Sequence, residues 1–174
     1  QIMQERPNCI EVLNNLNESI KQNIYIRLTN EFNSNENLSK DKYKDILSNS
    51  VFTLCPPGSS PESTRIYESL EVGSIPIIHE NKNSLLFGDH PLPVINKCWK
   101  TELPTLINKL LKCDIKQLYQ KVKNWYDNFK KVKIEHIRFY IIEHTLSSYE
   151  YVYLGNKLKN DKSFDNAIVY YKMA

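Results

Sequence analysis

The sequence has few of the residues that build metal sites and disulfide frameworks. Its 174 residues include four cysteines, which form no Cys-x-x-Cys pair and have no histidine at metal-ligand spacing. No Asp-x-Asp motif is present either. We therefore expect no metal site in this chain, whereas the cysteine pattern leaves the redox compartment open.

Long apolar runs and a strong net charge are also missing. No run approaches the roughly 20 apolar residues of a transmembrane helix, and no signal peptide is visible. The formal net charge is only +3. The basic residues are dispersed except for the lysines between 121 and 133, which we interpret as a solvated helix face rather than a nucleic-acid surface. We expect no membrane segment in this chain and no nucleic-acid partner.

The apolar pattern alternates between strand and helix periods along most of the chain. This alternation predicts an α/β fold with a doubly wound, mostly parallel sheet over residues 1–147, followed by a helical hairpin over 148–174. Because the chain lacks an initiator methionine and stops within a helical pattern, we expect a fragment of a longer protein. The predicted strands are Asn23–Thr29, Val51–Cys55, Ser74–His79 and Leu92–Ile95, and the predicted helices are Cys9–Ile20, Ser39–Leu47, Ser63–Val72, Glu102–Leu111, Ile115–Phe129 and Ile134–Thr145.

Single residues refine three of these elements. Ser39 is placed to cap the start of its helix, and Gly73 is placed to end the helix before the third predicted strand. Asp114 is a natural cap for the helix that follows it. Pro76 lies inside a predicted strand, which favours an edge strand or a bulge there.

The loop Pro56–Glu62 is the first candidate for a ligand site. It follows a buried strand and leads directly into a helix, and ligands of open α/β sheets bind beyond the carboxyl ends of the strands. A helix start carries unpaired N–H groups and a partial positive charge, which favour an anion. The same serines could instead only cap the helix. The candidate residues for binding a phosphate-bearing ligand are Pro57, Gly58, Ser59, Ser60, Ser63 and Thr64.

Arg65 and Glu68 add a charged pair to this helix start. A cation in the first turn opposes the helix dipole, so Arg65 is best explained by an anion at the same place, such as a diphosphate held by the guanidinium fork. Glu68 lies on the same helix face at i+3 and could accept hydrogen bonds from ribose hydroxyls. The alternative interpretation is a surface ion pair between the two.

The stretch VFTLCPPGSSPESTRIYESLEVGSIPIIHE resembles the signature of exostosin-like glycosyltransferases. The matching elements are Cys55–Gly58, Arg65–Ser69 and Gly73–Ile77, with serine at position 69 where that family usually has alanine. A later Trp99 followed by Glu102–Pro104 is similar to the ribitol xylosyltransferase branch of the family. The resemblance covers about 43–111 well and the flanks weakly.

The resemblance implies the C-terminal, Rossmann-like half of a GT-B glycosyltransferase. Such a domain binds a nucleotide sugar, here a UDP-sugar, and the enzyme passes the sugar with inversion to a glycan or other hydroxyl acceptor. Arg65 would bind the diphosphate and Glu68 the ribose, and these two are our candidates for the catalytic machinery. The resemblance implies no metal cofactor, and it places the catalytic base on another domain. The compartment stays open: a Golgi lumen if the protein is like eukaryotic members, the cytoplasm if it is viral or protist.

Other candidates have weaker support. His79 ends a predicted strand near the cleft and could contact the diphosphate or the sugar, although a packed or exposed histidine explains it equally well. Leu85–Phe87 is similar to a hydrophobic element of some family members and could line the sugar pocket, with a loop anchor as the alternative. Asp89 and His90 are possible polar groups of that pocket, and Trp99 is expected in the core.

The tail from residue 148 resembles a tetratricopeptide repeat. Its small residues Gly155 and Ala167 have the spacing that lets two antiparallel helices approach. The alternative is a helical hairpin packed on the α/β domain. A repeat module leaves open a second function, a catalytically inactive transferase-like domain that binds protein partners through the repeats. A different phosphate-ligand enzyme on a similar sheet is a third.

Overall fold

The computed structural model describes residues 5–27, 38–57, 63–80 and 87–145, together with 156, 157 and 160. The described residues form an α/β fold, as predicted. Its elements, in chain order, are α1 (Glu5–Asn14), α2 (Glu18–Lys21), α3 (Lys40–Ser48), β1 (Phe52–Cys55), α4 (Thr64–Val72), β2 (Ile75–His79), β3 (Val94–Ile95), α5 (Trp99–Leu110) and α6 (Ile115–Thr145).

The three strands form one parallel sheet in the order β1-β2-β3. Helices cover both of its faces, which confirms the doubly wound arrangement. On one face, Ile77 and Ile95 pack with α1 and α5 in a single apolar core. On the other face, α4 contacts β1 and β2. The fully buried side chains of this core include Trp99 and Leu103, so Trp99 is a core residue as expected.

Pro76 lies in the central strand, so the expectation of an edge strand was wrong. The backbone bonds explain why proline is tolerated there. Ile75 donates its N–H to Val51 in the direction of β1, whereas Ile78 donates to Pro93 in the direction of β3. Since donors alternate along a strand, the nitrogen of Pro76 faces the β3 side, at a point before β3 begins. The missing N–H therefore removes no bond from the ladder.

Three helix ends lie where single residues predict them: the start of α3, the end of α4 and the start of α6. The Ser39 hydroxyl accepts the N–H of Lys42 at 3.3 Å and caps α3. Gly73 ends α4 in the left-handed conformation, with a φ of 85°. The Asp114 carboxylate caps α6 by accepting the N–H of Gln117 at 3.0 Å. These three predictions are confirmed.

Four predicted elements differ from the structure. The helix predicted over Cys9–Ile20 begins earlier and is interrupted, so that α1 ends at Asn14 and α2 begins at Glu18. Residues 23–27, the part of the first predicted strand that the structure describes, form no strand, because β-branched composition alone supplies no partner. Helix α5 begins at Trp99 instead of Glu102. The two helices predicted after Asp114 are one continuous helix, α6. Residues 130–133, between the two predicted helices, include no glycine or proline that would interrupt it.

The chain divides into two compact units, residues 1–127 and 128–174. The sheet, its helices and the candidate site belong to the first unit. Nearly all of the predicted hairpin over 148–174 lies outside the described residues, so the tetratricopeptide interpretation stays a prediction. Among the described residues, none of the helices is both long enough and apolar enough to cross a membrane.

Candidate functional site

The candidate site lies at the carboxyl edge of the sheet, where β1 ends and α4 begins. Strand β1 ends at the buried Cys55, and the chain continues through the buried Pro57. Arg65 lies in the first turn of α4 and is exposed, as is Thr64. Of the predicted loop residues, Gly58, Ser59 and Ser60 lie outside the described residues, so their part in the site stays a prediction.

The start of α4 is not capped by its own N-cap side chain. Ser63 occupies the N-cap position, but its hydroxyl makes no capping hydrogen bond, and only its carbonyl accepts the N–H of Ile66. The alternative in which Ser63 serves only as a cap is therefore not supported. A helix start without this cap retains donors that an anion can satisfy.

Glu68 is held from a different helix. The Tyr43 hydroxyl on α3 donates a 2.7 Å hydrogen bond to Glu68 Oε2. Arg65 lies beside the same tyrosine, since its charge influences the pKa of Tyr43. No ion pair joins the described side chains of Arg65 and Glu68, so the surface ion pair considered above is absent between these two residues. The structure thus brings Arg65 and Glu68 together around Tyr43.

The environment of Tyr43 is partly desolvated and mixed in charge. Its pKa is raised, first because the side chain is half-buried and then because its hydroxyl donates to the Glu68 carboxylate. The Arg65 guanidinium acts in the opposite direction. Tyr43 therefore keeps its proton at neutral pH and remains a donor. The sequence predicted a helix that contains Tyr43, but it gave this residue no functional role.

Cys55 lies beneath the start of α4. Burial raises the pKa of its thiol to about 12, against the opposing effects of the Arg65 charge and a hydrogen bond with Ser69. Its sulfur donates weakly to the Thr53 carbonyl at 3.6 Å. The Ser69 hydroxyl also donates to the Arg65 carbonyl at 2.6 Å. The serine that departs from the usual alanine of the family is buried, and its hydrogen bond lies within α4.

His79 is not brought next to Arg65 and Glu68. It pairs with Ile95 and follows Ile77 by two residues, so its side chain leaves the sheet on the face opposite α4. Its Nδ1 lies 2.8 Å from the Glu80 carbonyl and its Nε2 lies 3.4 Å from the Lys97 carbonyl. A backbone carbonyl thus lies close to each ring nitrogen, and the one that carries the proton can donate to it, which favours the structural interpretation.

Phe87 belongs to an aromatic cluster that includes side chains of α4 and α6. It is 5% exposed and its ring lies 5.9 Å from Tyr67, 6.0 Å from Trp125 and 6.1 Å from His90. This packing supports a loop anchor, whereas Leu85 and Leu86 lie outside the described residues. Burial lowers the pKa of His90, and its Nδ1 accepts the N–H of Leu92. Asp89 is exposed.

The aromatic cluster extends to the far end of α4. The Tyr126 hydroxyl on α6 donates to Glu71 Oε1 at 2.7 Å. Burial and this bond raise the pKa of Tyr126. Helix α4 is thus bonded through tyrosine hydroxyls at Glu68 and again at Glu71. Within the part of the chain that the structure describes, the acidic, cysteine and histidine side chains form no group that could hold a metal ion.

A parallel sheet with helices on both faces and polar side chains at its carboxyl edge defines the class of doubly wound α/β domains, which bind ligands at that edge. Residues 3–146 match the model of the RXYLT1 C-terminal domain family, and the chain belongs to that family. This confirms the resemblance to the ribitol xylosyltransferase branch.

Two curated relatives are ribitol-5-phosphate xylosyltransferase 1 of Mus musculus and of Homo sapiens. The mouse protein is 32% identical and the human protein 31% identical, each over 112 residues. Each match covers 54% of this chain but only 25% of the relative. The chain therefore corresponds to about a quarter of the length of these relatives. No solved structure shows significant similarity to the chain.

Proposed function

We propose that this chain is the donor-binding domain of an inverting glycosyltransferase that takes its sugar from a UDP-sugar. The observation that carries the proposal is the placement of Arg65 and Glu68 on the first turns of α4, at the carboxyl edge of the sheet, in a member of the RXYLT1 C-terminal domain family. The position suits a ligand that carries both phosphates and sugar hydroxyls.

The proposed chemistry assigns charge stabilisation to this domain. The diphosphate leaving group lies against the start of α4, where backbone N–H groups and the Arg65 guanidinium offset its negative charge. Glu68 accepts hydrogen bonds from the ribose hydroxyls. The positive charge comes from the protein, so the proposed donor site uses no metal ion.

The other half of the reaction needs a general base that deprotonates the acceptor hydroxyl. We assign this base to an acceptor-binding domain elsewhere in the full-length protein. The two relatives are named as ribitol-5-phosphate xylosyltransferases, which makes UDP-xylose the first donor to test and a polyol phosphate the first acceptor.

The test is calorimetric titration of the full-length protein with UDP. Arg65→Ala removes a charge-assisted contact with the diphosphate and should weaken UDP binding about 10- to 100-fold. Arg138→Ala is the matched control, because Arg138 is exposed and pairs with Glu135 three residues away. That control should leave UDP binding unchanged.

Two results would contradict the proposal. One is a wild-type protein that binds no UDP, and the other is UDP binding that survives Arg65→Ala. A protein that binds UDP but transfers no xylose from UDP-xylose would support the inactive, transferase-like alternative over the enzyme.

A further inference from the structure

Tyr43 occupies a fixed position beside the candidate site. Its backbone N–H donates to the Ser39 carbonyl at 2.9 Å, within the capped first turn of α3. One turn later, Leu47 is buried and anchors the same helix, which packs on α4. Tyr43 therefore projects toward α4 from a helix that is capped at its start and buried at Leu47.

The bond from Tyr43 restrains a side chain that would otherwise rotate freely. Glu68 is exposed, and an exposed glutamate samples several rotamers because few contacts select one. The 2.7 Å bond from a tyrosine 25 residues earlier in the chain selects one of them. A carboxylate accepts about four hydrogen bonds, so the single bond from Tyr43 leaves capacity for a ligand.

We propose that Tyr43 is a positioning residue for the donor nucleotide, and that its hydroxyl holds the Glu68 carboxylate in the orientation that accepts hydrogen bonds from the ribose. The inference rests on the proposed function. It adds a role to a helix that precedes the family's Arg-x-x-Glu element in sequence. Arg65 lies beside the same hydroxyl. Tyr43 is therefore next to both residues of the proposed donor site, Arg65 for the diphosphate and Glu68 for the ribose.

The experiment compares two probes on the full-length protein, UDP and 2′,3′-dideoxy-UDP, which lacks both ribose hydroxyls. Tyr43→Phe removes only the hydroxyl and keeps the ring, so its melting temperature should stay close to that of the wild type. It should weaken UDP binding about three- to tenfold and leave 2′,3′-dideoxy-UDP binding unchanged. In a Glu68→Ala background, Tyr43→Phe should have no further effect on UDP binding, because Tyr43 acts through Glu68.

Two variants complete the design. Tyr25→Phe is the matched control, since Tyr25 is 56% exposed and lies outside the site, and it should change the affinity for neither probe. Glu68→Gln keeps the side-chain shape and an acceptor for Tyr43. It should weaken UDP more than the dideoxy probe, and it carries the test if Tyr43→Phe does not fold.

The outcomes separate this inference from the proposed function. If Arg65→Ala weakens UDP binding but Tyr43→Phe does not, or if Tyr43→Phe weakens both probes equally, the role of Tyr43 is wrong and the donor site stands. Equal loss of both probes in Glu68→Gln also overturns it. If the wild-type protein binds no UDP, the proposed function fails and the inference fails with it.

Discussion

Glu102 holds the start of α5 from inside the helix, and replacing it tests how much that cap contributes. Its carboxylate accepts the backbone N–H groups of Asn96 at 2.9 Å, Lys97 at 2.7 Å and Cys98 at 3.3 Å. Glu102→Gln keeps the side-chain shape but replaces one acceptor oxygen with a donor. At least one of the three N–H groups therefore loses its partner.

The expected cost of Glu102→Gln is about 1 kcal/mol of unfolding free energy. Hydrogen bonds to a charged group contribute about 1.5–3 kcal/mol when they are shielded from water. Here the groups lie at the surface, where water replaces part of each lost bond, so we expect the lower range that N-cap replacements give, about 0.5–2 kcal/mol. Urea unfolding at neutral pH, followed by circular dichroism, measures this difference.

The pH dependence makes the prediction sharper. The N–H groups of Asn96, Lys97 and Cys98 lower the pKa of Glu102, with Asn96 as the largest cause. A carboxyl whose pKa is lower in the folded state adds stability above its unfolded pKa of about 4.3, and this stability is lost as the pH falls through the folded pKa. The wild-type protein should therefore lose its advantage over Glu102→Gln progressively as the pH falls below about 4.3 and through the lower folded pKa.

A control variant distinguishes the effect of losing the Glu102 cap from the effect of losing a surface charge. Glu11→Gln removes a carboxylate that pairs with Lys100 on the surface, and its unfolding curve should match that of the wild type. The reasoning is refuted if Glu102→Gln unfolds like the wild type at neutral pH, or if its deficit is as large at pH 3 as at pH 7.

Two further predictions concern the elements beneath the site. Gly73→Ala should cost about 1–2 kcal/mol in a urea titration, because alanine is strained at a φ of 85° and its Cβ would lie 3.3 Å from the Tyr119 hydroxyl. Gly88→Ala is the control with a positive φ of 60° and no described atom within 4 Å, and it should cost less. Thr53→Val and Ser74→Ala each leave one partner of a buried 2.7 Å hydrogen bond unsatisfied and should each cost about 1–3 kcal/mol. The double variant should cost clearly less than the sum, and strict additivity in the thermal or urea unfolding of the three variants would contradict the bond.

Local signals predicted the elements around the site well. Ser39 and Gly73 act within one helical turn of their own positions, so a single residue determines where α3 begins and where α4 ends. The apolar run of β1 and the helix after it follow from composition and period. These signals also placed Arg65 in the first turn of α4, which is where the structure has it.

The contacts that complete the site could not be predicted in this way. Tyr43 and Glu68 are 25 residues apart, and no local pattern relates their side chains. The face on which His79 lies depends on the pairing of β2 with β3, which the sequence of either strand alone does not determine. We expected Pro76 in an edge strand or at a bulge, because proline usually lies there. It lies in the central strand instead, because β3 is only two residues long and its pairing with β2 starts after Pro76.

Cys55 gives the protein a chemical reporter of motion beneath the site. Burial raises the pKa of its thiol to about 12, so the thiol is protonated at neutral pH, and alkylating reagents react with the thiolate. The residue is 2% exposed, so a reagent reaches it only when the packing around it opens. Its alkylation rate, followed by mass spectrometry of the peptide that contains it, therefore measures how often the packing between the end of β1 and its neighbours, which include α4, opens. A ligand that bridges α4 and the end of β1 will slow that rate.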